Sequence, residues 1–350
     1  MKLAPKILFR KEFSLFLALF LLLNACKKDV AINEQIEDEK PKELKFYQFD
    51  VPLGFPLPNI PENNPMTVER VELGKKMFFD KMLSRDNTIS CGSCHFPHLA
   101  FTDGLKTSIG IEGRVGPRNS PTLINTAYIP ALFMEGGVPS LELLVLAPIE
   151  DHNEMDFDII GVVERMRQDE YYSKEIKRIF GEEPSAFNVT RALGAYQRSL
   201  VKANSRFDDF YYNKNENVLN EKEKRGMVLF FGGKTNCSSC HTLPHFTNFG
   251  FYNIGLYENY QDDGRALASG RMEDIGRFKV PTLRNIEITA PYMHDGSLAT
   301  LEEVIEHFDM GGYSHPNKSH LMKPLNLSQQ EKEDLVSFLK TLTNKTQFNH

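Results

Sequence analysis

The sequence predicts a mainly helical, loop-rich protein built of two similar domains in tandem, and three observations predict it. Two Cys-x-x-Cys-His units occur, Cys91-Gly-Ser-Cys94-His95 and Cys237-Ser-Ser-Cys240-His241, with first cysteines 146 residues apart. The segments around them repeat at fixed spacing. Helix-start patterns, in which an N-cap residue is followed three positions later by glutamate, open three apolar-periodic stretches at Asn220, Thr300 and Ser328, while strand patterns are scarce. At 350 residues, 41% hydrophobic and 25% charged, the chain is long enough for two packed cores and is not a disordered one.

The first segment, 1–25, has the composition of a leader. Lys2, Lys6, Arg10 and Lys11 precede an apolar run, Phe13 to Leu23, that is too short to span a bilayer and suits the core of a secretory signal. It ends in Leu23-Asn24-Ala25-Cys26, which resembles the lipobox of bacterial lipoproteins. That resemblance implies that Cys26 becomes the lipidated first residue of an exported protein held to a membrane, the outer one by expectation, by its acyl chains alone. An ordinary signal peptide with an unmodified cysteine is the plainer alternative. Residues 26–64, rich in Lys, Glu, Asp and Pro, read as a tether. The formal charge of −6 becomes more negative once the basic leader is removed, which argues against a nucleic-acid partner.

The repeat defines two domains, 65–212 and 213–350. Gly74-Lys-Lys-Met-Phe78-Phe79 leads into the first Cys-x-x-Cys-His unit and Gly226-Met-Val-Leu-Phe230-Phe231 into the second. Pro121-Thr122-Leu123-Ile124-Asn125 follows the first and Pro281-Thr282-Leu283-Arg284-Asn285 the second, each with a glycine eleven residues beyond its asparagine. The match continues through Ser140-Leu141-Glu142 and Thr300-Leu301-Glu302, with 14 more residues between unit and Pro-Thr-Leu motif in the second copy.

The units decide the chemistry. A zinc ribbon wants its Cys-x-x-Cys pairs closer in sequence and has no use for the following histidines. A thiol-disulfide enzyme needs one such pair beside a βαβ pattern, and local disulfides leave His95 and His241 unexplained. Covalent c-type haem accounts for every residue: two thiols add to the two vinyl groups of one porphyrin, and the adjacent imidazole is delivered to its iron. Cys91, Cys94 and His95 would hold one haem, and Cys237, Cys240 and His241 a second.

From about Pro65 to Thr343 the chain resembles the bacterial di-haem cytochrome c peroxidases and their MauG-like relatives, on the two units, Asn119-Ser-Pro-Thr122 and Pro291-Tyr-Met-His-Asp-Gly296. The resemblance implies two cytochrome c-like domains, a peroxidatic N-terminal haem and a C-terminal haem where electrons enter. It also implies an acid-base glutamate, which the register of Pro148-Ile149-Glu150-Asp151-His152-Asn153-Glu154-Met155 assigns to Glu154, with Glu150 as the fallback. A calcium ion between the haems would fall to the Asn119 side chain and the carbonyls of Thr289 and Pro291.

Three departures from the family pattern matter. A histidine that many members carry after Ser-Ile-Gly is Ile111 here, and isoleucine cannot ligate iron; the first haem is therefore expected to be five-coordinate as isolated. Fourteen residues past His294, where relatives place a methionine or tyrosine ligand, stands Phe308. Either Met310 swings inward as the sixth ligand of the second haem, or His307 and Met310 are ordinary helix-end residues and that ligand is weak or absent. Met134 replaces an inter-haem tryptophan, and the chain has no tryptophan at all.

The expected protein is a periplasmic, lipid-anchored peroxidase that reduces hydrogen peroxide with electrons from a small donor such as a cytochrome c. Family members are commonly dimers, so a homodimer is an expectation. A MauG-like oxidase acting on a protein or organic substrate is the second reading, and a non-enzymatic electron-transfer or redox-sensing protein the third.

Overall fold

The computed structural model describes residues 43–346. The expectations for the leader and for Cys26 lie outside the described residues, as does the tether through Lys42. From Leu44 the expected tether is packed instead. Tyr47 N–H donates to the Met66 carbonyl at 3.1 Å and Val68 N–H to the Lys45 carbonyl at 2.8 Å, while Leu44, Tyr47 and Phe49 lie against a buried core. The apolar residues scattered among the prolines supply that packing, and a charge-and-proline count does not register them.

Among the described residues eight helices of six residues or more follow: α1 (Val68–Phe79), α2 (Ile159–Gln168), α3 (Glu170–Phe180), α4 (Ala186–Ser199), α5 (Arg206–Tyr211), α6 (Glu221–Phe231), α7 (Leu301–Met310) and α8 (Gln329–Lys340). The three N-cap patterns read from sequence all start helices, with Asn220–Glu223, Thr300–Glu303 and Ser328–Glu331 each forming a reciprocal capping box. The sheet among the described residues is one two-residue antiparallel ladder, β1 (Phe251–Tyr252) with β2 (Phe278–Lys279). Helix therefore dominates and sheet is minor, as expected.

Two helix crossings organise two cores. α1 lies on α4 and α6 on α8, and each crossing turns on a glycine. A β-carbon at Gly74 would strike the Ala192 carbonyl oxygen, and one at Gly226 the Asp334 carbonyl oxygen. The aromatic partners correspond as well: Phe78 meets Tyr196 at 5.1 Å between ring centroids, and Phe230 meets Phe338 at 5.1 Å. The first core gathers Leu73, Met77, Phe78, Phe101, Ile149, Tyr172 and Leu193. The second gathers Phe207, Phe230, Phe246, Leu335 and Phe338.

The Pro-Thr-Leu-x-Asn motif is explained by its hydrogen bonds, made alike in both places. Asn125 and Asn285 sit at φ 65° and 63°, a left-handed conformation that asparagine tolerates. Their N–H groups donate to the Leu200 and Leu342 carbonyls at 2.8 and 3.1 Å, and their side-chain oxygens accept from the Lys202 and Asn344 N–H groups, both at 2.9 Å. Thr122 Oγ1 donates to the Ala100 carbonyl at 2.6 Å and Thr282 Oγ1 to the His245 carbonyl at 2.7 Å. The motif thus ties the chain just after each Cys-x-x-Cys-His unit to the end of its helix pair.

One position of the motif differs. Ile124 is buried in the first core, whereas Arg284 is buried beside the second and donates to both Asp208 oxygens at 3.0 Å and to the Pro244 carbonyl at 2.7 Å. Such a buried pair is held by its geometry, and removing one partner strands the other.

Candidate active site

A single cavity of about 1050 Å³ runs between the two cores, and all six residues of the Cys-x-x-Cys-His units that carry thiol or imidazole line it. It is at the top of the ~300–1,000 Å³ range of small-molecule sites. Cys91–Ser93 and Cys237–Ser239 are single turns of 3-10 helix, so each unit folds back tightly and presents its side chains to one side.

Each histidine is aimed by a backbone carbonyl. His95 Nδ1 lies 2.7 Å from the Phe101 oxygen and His241 Nδ1 2.9 Å from the Phe246 oxygen. Both phenylalanines are fully buried and left-handed, at φ 60° and 53°, a conformation that costs a bulky residue ~1–3 kcal/mol and persists only where the surroundings impose it. With Nδ1–H given to a carbonyl, Nε2 remains as the ligating atom, the usual arrangement of a metal-binding imidazole, whose other nitrogen is held by a hydrogen bond. Burial pushes His95 below the ordinary histidine range and His241 down to about 4, so both stay neutral, the form that binds a metal.

The thiols are shaped by the same burial. Cys91 is pushed up to about 12 and Cys94 to about 11, chiefly by loss of solvent, and Cys237 and Cys240 shift the same way. Thiols held protonated are poor redox nucleophiles, which speaks against a disulfide-exchange site. No group of three His, Cys, Asp or Glu converges as a metal site among the described residues, so the four cysteines are not arranged as a zinc ribbon. Two thiols and one oriented imidazole nitrogen at each end of a large cavity fit two covalently attached haems.

Glu154 lines this cavity; Glu150 does not. More than a third of the Glu154 surface is accessible, yet protein surrounds the carboxyl, because the accessible part belongs to the cavity wall. Burial first and the nearby Asp151 second raise it to about 7. Its charge is felt by both Cys91 and Cys94, which places it at the first unit. Ile111 is fully buried away from the cavity, and its N–H donates to the Glu154 carbonyl at 2.9 Å. The segment in which relatives carry a histidine therefore braces the Glu154 loop instead.

At the second unit Met310 sits as a helix-end residue rather than turned inward. It is 50% exposed and off the cavity wall, and His307 is buried with Nε2 3.2 Å from the Ile254 carbonyl. Leu301, Val304, Ile305 and Phe308, spaced i, i+3, i+4 and i+7, form the cavity face of α7. Left-handed Gly311 and Gly312 close the helix on the Phe308 and His307 carbonyls, which leaves Met310 on the outer face.

Asn119, Thr289 and Pro291 all line the cavity. The Asn119 backbone N–H donates to the His294 carbonyl at 2.8 Å and its amide nitrogen to the Leu105 carbonyl at 2.8 Å. Met134 is also on the wall, and its carbonyl accepts the Lys279 N–H at 2.8 Å. Sequence reasoning missed three further wall residues. Arg118 makes two bonds to Asp262, at 2.7 and 2.9 Å, and pairs with Glu135. Lys279, lowered to about 8 by burial, caps the Ala131 and Phe133 carbonyls. The His294 ring stacks on Phe278 with centroids 4.0 Å apart. The only signal for Arg118 was its place beside Asn119.

Comparison with known proteins agrees with this construction. Residues 68–217 match the family described as di-haem cytochrome c peroxidase. The chain is 40% identical over 286 residues to the methylamine utilization protein MauG of Methylorubrum extorquens, covering 81% of this chain and 80% of the relative. It is 36% identical over 296 residues to the cytochrome c551 peroxidase of Nitrosomonas europaea, covering 82% and 84%. Among solved structures, a MauG-like protein associated with microbial copper homeostasis superposes with a TM-score of 0.80 at 36% identity, covering 85% of this chain and 96% of that one. The di-haem peroxidase BthA of Burkholderia thailandensis, 22% identical with a TM-score of 0.72 over 84% of this chain and 95% of that one, shares the fold.

Proposed function

The chain belongs to the di-haem cytochrome c peroxidase family, and from that premise we propose that it reduces hydrogen peroxide to two waters with two electrons and two protons. The observation that carries the reading is a carboxyl poised near neutral pH, Glu154, on the wall that also holds Cys91, Cys94 and His95. Haem c, when bound, supplies the iron that takes up peroxide and the electrons that reduce it.

The chain's own residues do the rest. Neutral His95, fixed by the Phe101 carbonyl, would hold the iron through Nε2. Glu154, as carboxylate, accepts the proton of the inner peroxide oxygen and, as carboxylic acid, delivers it to the outer oxygen so that water leaves. Ile111 has no donor atom and is buried off the cavity wall, so it would offer a bound haem no competing ligand, and no reductive activation would be needed. The second unit receives electrons singly from a small redox protein such as a cytochrome c, for which the acidic chain favours a basic docking face. With Phe308 on the wall and Met310 off it, α7 would offer a second haem no methionine ligand.

The matched glycine crossings and asparagine turns support an internal duplication with domains 65–212 and 213–350, each cytochrome c-like. A calcium ion held by Asn119, Thr289 and Pro291, all on the cavity wall, is part of the reading, since the Asn119 amide nitrogen is already engaged and its oxygen is the end left for a hard cation. Lipid anchoring through Cys26, a periplasmic location and a homodimer complete the reading.

A MauG-like oxidase, acting on a protein or organic substrate, is the second reading, favoured by the 40% identity to MauG. The absence of tryptophan removes the aromatic best suited to relay oxidising equivalents. Stoichiometric peroxide added to the reduced protein separates the two: rapid reoxidation, lost in Glu154→Gln, supports the peroxidase. Turnover of an organic substrate with no peroxidase rate on reduced cytochrome c supports the oxidase.

A further inference from the structure

The turn that carries Glu154 is gripped from outside the cavity by two arginines. Within the turn, the Glu154 and Asp156 N–H groups both donate to the Asp151 carbonyl at 3.0 Å, and the Asn153 N–H to Asp151 Oδ1 at 2.7 Å. From the neighbouring segment, Arg114 Nη1 reaches the His152 carbonyl at 2.7 Å, His152 Nδ1 at 2.9 Å and Asp156 Oδ2 at 2.7 Å, while its other terminal nitrogen pairs with Glu112. Arg85 joins the same two carboxylates, Glu112 at 2.5 Å and Asp156 at 2.6 Å. His152 Nδ1 also approaches Asp156 Oδ1 at 3.2 Å.

Both carboxylate-bearing residues are left-handed, Glu112 at φ 57° and Asp156 at φ 45°. Aspartate tolerates that conformation, but glutamate does so rarely, so that of Glu112 must be imposed by its surroundings, and the partners it shares with Asp156 are Arg114 and Arg85. Gly110 brings the two segments together so closely that a β-carbon there would strike the Asn153 carbonyl. Two turns are thus clipped face to face, and one of them aims the carboxyl on which the proposed chemistry depends.

We propose that Arg114 is a positioning residue for peroxide cleavage, its guanidinium clasping the 151–156 turn so that the Glu154 carboxyl is presented to the cavity. This rests on the reading of Glu154 given above. Arg114 is only partly buried and its ion pairs reach solvent, so the clasp contributes little to global stability. Its worth is geometric, since a displacement of an ångström in a catalytic group costs about 10²-fold in rate.

The test uses the holoprotein carrying both haems, with Arg114→Ala, Arg114→Lys and Asp156→Asn beside the parent. Haem per chain, thermal midpoint, kcat and KM for peroxide, and the pH profile are measured for each. Arg114→Ala is expected to keep its haem and midpoint, to lose about 10²-fold in kcat with little change in KM, and to shift the acid limb of its profile away from pH 7. Lysine keeps the charge but cannot span a carbonyl and two carboxylates, so it recovers only part of the loss. Arg114→Ala with parental kcat and profile overturns the proposal, as does a rate loss that merely tracks lost haem. Should Arg114→Ala fail to fold, Asp156→Asn decides: a moved acid limb supports the clasp and a parental one overturns it. Glu154→Gln separates the two levels. If it keeps the parental rate, the role of Glu154 fails; if it is inactive while Arg114→Ala is parental, only the clasp fails.

Discussion

Replacing Glu154 with glutamine probes the chemistry with little disturbance of shape, because the amide keeps the volume of the carboxyl and removes only its titration. General acid-base transfer is worth about 10²–10⁴ in rate, so Glu154→Gln should lower kcat/KM for peroxide by that factor, or ~3–5 kcal/mol of barrier. The raised value near 7 sets the pH dependence. About a tenth of the groups are ionised at pH 6, about half at pH 7 and about nine-tenths at pH 8, so the parental rate should climb across that range and the variant's should not. Asp151→Asn, which removes the neighbouring negative charge, should move the climb to lower pH.

Stability runs the other way. A carboxyl whose folded value is raised binds its proton more tightly in the native state, so it destabilises the fold progressively as pH rises from the ordinary carboxylate range through about 7. Glu154→Gln should accordingly gain thermal midpoint relative to the parent above pH 7 and not below pH 4. The assay is steady-state oxidation of reduced cytochrome c by peroxide from pH 5.5 to 8.5, with unfolding followed in parallel. A variant within about threefold of the parent, climbing with pH in the same way, would refute the reasoning.

Other outcomes follow from the same structure. Gly226→Ala forces a methyl group into the Asp334 carbonyl at the α6–α8 crossing and should cost ~1–3 kcal/mol by thermal unfolding, with Gly74→Ala behaving alike. Arg284→Met leaves the Asp208 carboxylate buried without its partner and should cost ~3–5 kcal/mol in denaturant unfolding. Met310→Ala should leave the low-temperature EPR of the second haem unchanged, since its side chain is off the cavity wall, whereas Phe308→Tyr introduces an oxygen donor on that wall and should alter it.

Much of this was legible because it depends on residue identity over short spans. The Cys-x-x-Cys-His units, the three capping boxes and the Pro-Thr-Leu-x-Asn turns each need particular side chains at particular offsets, and each forms where its pattern stands. The carbonyls of Phe101 and Phe246 that aim the histidines left no trace, because a backbone oxygen is the same for every residue. Arg118 and Asp262 meet across 144 residues, and Arg114 meets Asp156 across 42, so no local window contains either pair. The two alternatives for Met310 stayed open in the sequence because the spacing of fourteen from His294 reaches Phe308, and only the helix phase shows that Phe308, and not Met310, faces the cavity. Phe55 shows how packing hides in a proline-rich stretch: it sits 4.7 Å from the His245 ring and 5.6 Å from Tyr128, joining segments far apart in sequence.

Intact mass and pyridine haemochrome of the purified protein test the attachment chemistry on which the account stands. Two haems per chain, resistant to acid extraction, with one lost in Cys91→Ser/Cys94→Ser and the other in Cys237→Ser/Cys240→Ser, is the predicted result. A single covalent haem, or none with the four cysteines paired as disulfides, would contradict it.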